Sequence, residues 1–179
     1  MGDPDAPPLD TETLIATLRD CGVEYVIVGG IGAIIHGANQ ATFDLDVVPS
    51  TTAKNLDALA EALQTMGAKL RLDDGSTVEV PIDRVSLANY ELSTWRTDAG
   101  DIDVIRGIPS ANGLNDLRFY AELAEAGERV EVFGASIVVA SLEMIIESKE
   151  GSNRDVDHSV LPHLRELQAQ KSDELNSDM

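Results

Sequence analysis

Between Tyr25 and Val48 an apolar run, Val26-Ile27-Val28, meets paired glycines, Gly29 and Gly30, and the chain returns through Asp44-Leu45-Asp46. Successive side chains of a β-strand point to opposite faces, so Asp44 and Asp46 share one face while Phe43, Leu45 and Val47 share the other, against a core. Two carboxylates side by side raise each other's pKa unless a positive charge lies between them. A divalent cation is the usual partner of an all-oxygen site. Upstream, Val26 to Val28 reads as a buried strand, and Gly29-Gly30 as a turn into an apolar helix from Ile31 to His36. Glycines ahead of a helix let backbone N–H groups approach an anion, with the positive end of the helix dipole behind them. Phosphate and metal would therefore meet on this segment. Taken singly, the glycines suit a plain tight turn better than an anion site, and the two acids suit a solvated edge strand as well as a metal site.

At 179 residues the chain is long enough for one domain with a real core. No apolar run approaches the roughly 20 residues that span a bilayer, so no membrane partner is expected. The start, Met1 to Pro8, lacks a basic and then apolar leader, and the expected compartment is the cytoplasm. One cysteine, Cys21, excludes an intramolecular disulfide and suits a small buried hydrophobe. A net charge of −19 with 13 basic residues argues against a nucleic-acid partner, because binding to phosphates comes from clustered Lys and Arg. A short basic patch near Lys149 and Arg154, or a basic partner protein, could still hold an RNA end.

Pattern places the remaining elements. The first nine residues, rich in Pro and Asp, read as disordered, and Thr11 to Asp20 as an amphipathic helix capped by Asp10 or Thr11. Leu56, Leu59, Ala60 and Leu63 recur at helical spacing within Thr52 to Met66, a helix that ends at Gly67. Lys69 to Asp73 and Val78 to Val80 are short strands around the Asp74-Gly75 turn. Glu91 to Thr97 and Asp101 to Ile105 pair across Ala99-Gly100, which would set Asp103 beside the Asp44 strand. Asn115 to Ala126 reads as helical, Val130 to Val139 as a hairpin broken at Phe133-Gly134, and Ser141 as the cap of a helix to Lys149. Ser159 to Gln170 is a final helix. The expected organisation is a single α+β domain over 10–170, a mixed sheet flanked by helices, with a C-terminal helical part over 141–170 and a disordered polar tail over 171–179. Trp95 and Tyr90 suit core or rim, His36 suits packing or a hydrogen bond at its helix end, and Asp101 suits an exposed position.

The segment from Tyr25 to Val48 resembles the signature of the polymerase-β-like nucleotidyltransferase superfamily: apolar strand, Gly-Gly, short helix, then Asp-apolar-Asp. Val28-Gly-Gly-Ile-Gly-Ala, His36-Gly37 and Ala41-Thr42-Phe43-Asp44-Leu45-Asp46 are similar to the branch that holds the AbiEii and MenT nucleotidyltransferase toxins. Ser141 to Lys149, then Arg154 and Asp157, resembles the helix that carries a Lys, a downstream Arg and an Asp in that branch. The superfamily's third acid would be Asp103. At Gln40 the chain departs from relatives that carry a basic residue there. The resemblance implies transfer of an NMP from an NTP to a hydroxyl, with Mg²⁺ or Mn²⁺ held by Asp44, Asp46 and Asp103. Asp103 would act as general base, since it is placed toward the acceptor-side metal. Gly29 and Gly30 would present donors to the β- and γ-phosphates. Lys149 and Arg154 would neutralise triphosphate charge, and Asp157 would orient them. Read without the resemblance, Lys149, Arg154 and Asp157 suit ordinary surface charges at a helix end. The acceptor would be a tRNA or other RNA 3′ end, a protein hydroxyl or a small molecule, and a cognate antitoxin protein a possible partner. The alternative is a catalytically inactive nucleotide- or partner-binding module on the same scaffold.

Overall fold

Alternation of apolar and polar residues along the strands closes eight of them into one mixed sheet. The computed structural model describes residues 6–177, with side chains to residue 174. In chain order the elements are α1 (Thr11–Asp20), β1 (Tyr25–Ile27), α2 (Gly29–Ile35), β2 (Asp44–Pro49), α3 (Ala53–Thr65), β3 (Lys69–Arg71), β4 (Thr77–Val78) and α4 (Arg84–Asn89). They continue as β5 (Leu92–Thr97), β6 (Gly100–Ile105), β7 (Gly107–Ser110), β8 (Gly113–Phe119), α5 (Tyr120–Ala126), β9 (Glu128–Val132), β10 (Ala135–Val139), α6 (Leu142–Ser152) and α7 (Asp155–Ser177). The sheet order is β4-β3-β5-β6-β2-β1-β10-β9, and β7 with β8 forms a separate hairpin. β2 runs parallel to β6 and β1 parallel to β10, while the other neighbours are antiparallel. The class is the α+β mixed sheet that the sequence implies.

One face of this sheet is dry. Leu45, Val47, Tyr25, Ile27, Trp95 and Ile102 pack there against Leu14, Ile15 and Leu18 of α1 and Leu56, Leu59 and Leu63 of α3. Asp10 caps α1 by accepting from Thr13 N at 3.0 Å, and Thr52 caps α3. Asn55 fastens α3 to the sheet. Its Nδ2 donates to Glu24 O at 2.9 Å and Ser50 O at 2.8 Å, and its Oδ1 accepts from Glu24 N at 2.7 Å.

The opposite face is divided. Toward β1 and β10, Val26, Val48 and Val138 meet Leu142, Ile145 and Ile146 of α6, Leu161 and Leu164 of α7, and Leu123 of α5. Toward β3, the same face turns polar. Cross-strand partners share a face, so Asp44 and Asp101, Asp46 and Asp103, Thr94 and Asp103, and Arg96 and Asp101 all lie together. Arg71 joins them, two residues along β3 from Lys69, the partner of Arg96.

Several elements differ from the sequence expectation. Leu114, Leu117, Tyr120 and Leu123 recur every three residues and imitate a helix, yet 113–119 is strand β8 and α5 begins at Tyr120. The hairpin wins because Asp116 ties its turn, accepting from Ser110 Oγ at 2.6 Å and Asn112 Nδ2 at 2.7 Å. α4 carries a weak sequence signal, since its capping box uses Asp83 with Ser86 rather than a Glu or Gln. α7 starts at Asp155 and continues through Pro162 to Ser177, so the stretch 171–177 read as a tail is helical. Residues 6–9 have no regular structure, but Leu9 packs on the core and Asp10 N donates to Ala99 O at 2.8 Å. The rest of the expected disordered N-terminus, 1–5, and the tail residues 178–179 lie outside the described residues. Among the described residues no helix is long and apolar enough to cross a membrane.

Asn55→Ala is expected to lower stability by about 1–3 kcal/mol in urea melts, because it strands the Glu24 amide and the Ser50 carbonyl, while the Glu24 carbonyl keeps the Ser50 N–H. A loss below a few tenths of a kcal/mol would show that water replaces the side chain.

Candidate active site

The four acids of the polar face differ in how well they are satisfied. Asp101 is 5% exposed. Arg96 grips it from β5, with Nε to Oδ1 at 3.0 Å and Nη2 to Oδ2 at 3.3 Å. Arg71 Nε lies 3.4 Å from Asp101 Oδ2 without making a hydrogen bond. The expectation that Asp101 is exposed is therefore corrected: strands β5 and β3 supply the two guanidiniums that let it be buried. Asp44 accepts from Thr42 Oγ1 at 3.1 Å.

Asp46 and Asp103 are left in deficit. Burial, reinforced by the charges of Asp44 and Asp103, raises Asp46 to about 7, against the pull of the Gly30 N–H and the Lys149 charge. Burial likewise raises Asp103 to about 6 despite a hydrogen bond from Thr94, with Asp44 and Asp101 adding to the rise and Arg71 opposing it. Asp103 Oδ1 is buried with no hydrogen-bond partner. An orphaned carboxylate oxygen beside two further acids is what a hard cation requires of its donors. Among the described residues no three such side chains stand close enough together to make a metal site. Asp44, Asp46 and Asp103 match a divalent ion in donor chemistry, three carboxylates on adjacent parallel strands.

The glycines have a second duty that spacing does not reveal. Helix α2 begins at Gly29 itself, with φ +60, rather than at Ile31. A Cβ on Gly29 would overlap the Asp46 carboxylate, and one on Gly30 would fall 2.5 Å from Thr42 Oγ1. The paired glycines let this helix start lie directly on β2, and the Gly30 N–H faces Asp46. Gln40 Nε2 donates to Gly30 O at 3.3 Å and so braces the same loop.

Lys149 and Arg154 meet on one carboxylate. Asp157, with no exposed surface, accepts from Lys149 Nζ at 3.2 Å and from Arg154 Nε at 2.9 Å and Nη2 at 3.3 Å. Burial pushes Asp157 upward, but these hydrogen bonds and charges outweigh it and hold the carboxyl below its usual range. Asn153, at φ +49, ends α6 and turns the chain into α7, which brings Asp157 back under Lys149. Lys149 acts electrostatically on Asp46, and Arg154 on Asp46 and Asp44. The structure thus gathers Gly29, Gly30, Asp44, Asp46, Asp103, Lys149, Arg154 and Asp157 around one patch. Sequence reasoning missed Thr42, Thr94, Arg71 and Arg96, whose relevance depends on strand neighbours. His36 is 4% exposed and its Nε2 donates to Ala140 O at 2.8 Å, a packing role.

No family model matches the chain, and no curated protein matches it. Among solved structures, the lincosamide antibiotic adenylyltransferase LnuA, determined with lincomycin bound, superposes with a TM-score of 0.58 at 16% identity. That match covers 90% of this chain and 99% of LnuA. The Thermotoga maritima protein TM1012 aligns at 14% identity and TM-score 0.47, over 98% of this chain and 97% of that one. The antibiotic-resistance factor ANT(2'')-Ia aligns at 13% identity and TM-score 0.44, over 93% and 94%. The LnuA match shows that the chain has that enzyme's fold.

The upward shifts of Asp46 and Asp103 set the sign of the pH response. The folded protein binds more protons than the unfolded chain between the ordinary carboxylate range and these values. Their contribution to stability is therefore full below the ordinary carboxylate range and is lost as pH rises, levelling off above about 7, where Asp46 is ionised, whereas Asp157, held below that range, contributes with the opposite sign at lower pH. Urea melts from pH 5 to pH 7.5 should show a loss on the order of 2–3 kcal/mol, and Asp46→Asn should remove the larger share of it. An unchanged slope in Asp46→Asn would mean that another group governs the response.

Proposed function

We propose that the protein is a nucleotidyltransferase that moves an NMP from an NTP to a hydroxyl acceptor. The observation that carries this reading is the parallel register of β2 and β6, which sets Asp46 against Asp103 in front of the Gly29-Gly30 helix start. The fold shared with LnuA, an adenylyltransferase, supports it.

Asp44, Asp46 and Asp103 would hold Mg²⁺ or Mn²⁺. Such an ion, when bound, supplies Lewis-acid stabilisation of phosphoryl oxygens and lowers the pKa of a coordinated hydroxyl. The chain's own residues do the rest. Gly29 and Gly30 have no side chain over the loop, so the β- and γ-phosphates can approach its backbone. Lys149, fixed by Asp157, holds a cation close to where triphosphate charge develops, and Arg154 adds to the same field. The acceptor oxygen attacks the α-phosphorus and forms a new O–P bond. The bond from that phosphorus to the bridging oxygen breaks, pyrophosphate leaves, and Asp103 takes the acceptor's proton.

The resembled toxins point to an RNA 3′ end as acceptor, with a cognate antitoxin protein as partner in the cytoplasm. LnuA points to a small molecule, and a protein hydroxyl completes the set. The net charge of −19 weighs against RNA. A catalytically inactive binding module on the same scaffold has no reason to leave Asp103 Oδ1 buried and unpaired.

Thermal melts with each NTP, with and without Mg²⁺ or Mn²⁺, test the nucleotide site. At a hundred times Kd, binding adds about 2.7 kcal/mol and raises Tm by about 5–10 °C. The shift should need the metal and vanish in Asp44→Asn/Asp46→Asn. No shift with any NTP would sink the enzyme reading.

A further inference from the structure

Beyond Thr94, next to the acid patch, lies a cleft of about 530 Å³ that none of the roles above has used. β3 and β5 pair at two positions, Lys69 with Arg96 and Leu70 with Trp95, and then splay apart. The wedge between the end of β3 and the start of β5 is lined by Arg71, Leu72, Asp73, Tyr90, Leu92 and Thr94, among others. Its volume falls in the range of sites for compact ligands, on the order of 300–1,000 Å³. Thr94 joins cleft to chemistry, since it is the cross-strand partner of Asp103 and hydrogen-bonds to it. A molecule seated in the wedge lies against the strand that carries the base.

Three features of the lining define an occupant. Leu72 and Leu92 are exposed, at 41% and 55%, and with Tyr90 they offer an apolar floor. Arg71 lines the wedge with its side chain 28% exposed; its Nε is buried against Asp101, 3.4 Å from Oδ2, so the terminal N–H groups of its guanidinium are the donors a ligand could meet. A hydroxyl or other neutral oxygen of a ligand would accept from them. Asp73 and Asp74 stand at the rim, and Asp74 is held below the usual carboxylate range by hydrogen bonds from Ser76. Two carboxylates at an entrance attract a cation and repel a phosphodiester chain.

We propose that this wedge is the acceptor site, and that it takes a small hydroxylated molecule bearing a positive charge rather than an RNA end. This rests on the nucleotidyl-transfer reading. The acceptor's apolar body packs on Leu72, Leu92 and Tyr90, Arg71 holds one of its oxygens, and the Asp73-Asp74 turn holds its cationic group. Its reactive hydroxyl then reaches Asp103 past Thr94. Transfer forms the acceptor O–P bond, expels pyrophosphate and leaves the proton on Asp103.

The test offers the full-length protein Mg²⁺ and NTP labelled at the α-phosphate, together with either total RNA or the small-solute filtrate of the same cells. Melts with Mg²⁺–NTP run in parallel. Label is expected in a cationic solute of the filtrate and not in RNA. Leu92→Trp, which fills the wedge, should lower that transfer at least tenfold while keeping the Mg²⁺–NTP melting shift. Asp73→Asn/Asp74→Asn should raise KM for the solute at least tenfold with little change in kcat. Asn retains the Asp74 turn acceptor, so this pair keeps the fold. Label in RNA, label in neither fraction with the NTP shift intact, or full transfer by Leu92→Trp would each overturn the site. Absence of the NTP shift in the unmodified protein would instead refute the nucleotide reading beneath it.

Discussion

Parallel pairing of β2 with β6 sets like charge beside like charge at two successive positions of one sheet face, Asp44 with Asp101 and Asp46 with Asp103. Like charges directly opposite destabilise a sheet. The opposite faces of these strands explain why the pairing survives. Leu45, Val47 and Ile102 are fully buried, and Val104 nearly so, each contributing a few kcal/mol of burial that a shift of one residue would reverse by turning acids inward. Register is thus fixed from the dry side, and the acids inherit their positions.

What surrounds the acids is graded. Asp101 is neutralised by Arg96 with Arg71 close by, and Asp44 has a hydroxyl from Thr42. Asp46 and Asp103 have one modest donor each, the Gly30 amide and Thr94. A structure selected for stability alone would treat the four alike. Concentrating the deficit on the central pair leaves Asp46 and Asp103 with raised pKa values while their neighbours stay satisfied. Asp157 follows the opposite rule: it is completely buried and saturated by Lys149 and Arg154, so the largely buried Lys149 ammonium and the more exposed Arg154 guanidinium are both tied to one carboxylate.

Much of this was legible in the sequence, and the boundary is physical. α1 and α3 follow from periodicity and caps, because both signals are local. Asp44 and Asp46 share a face by alternation alone, and the Ala99-Gly100 turn is enough to bring Asp103 alongside. What escaped depends on neighbours far away in the chain. Asp101 looks like a solvent-facing acid until β5 and β3 deliver two arginines. Gly29 and Gly30 look like turn formers until Asp46 and Thr42 occupy the space where their side chains would be. The β7–β8 hairpin was hidden by a spacing of three that suits a helix, and Asp116 decides the matter through its bonds to Ser110 and Asn112.

The same logic bears on how an acidic protein can handle a polyanionic substrate. Whole-molecule charge sets encounter, but a site is governed by the groups within a Debye length, about 8 Å in physiological salt. On one side of the acids stand Lys149 and Arg154, cations held by a single carboxylate. On the other stand Asp73 and Asp74 beside an apolar wedge. The two sides therefore differ in charge: Lys149 and Arg154 share one carboxylate, whereas Asp73 and Asp74 stand beside Arg71 and near Arg96, which donates to Gly75 O. A difference of this kind needs no basic surface stripe, which is why the composition of the chain and the chemistry of its site are compatible.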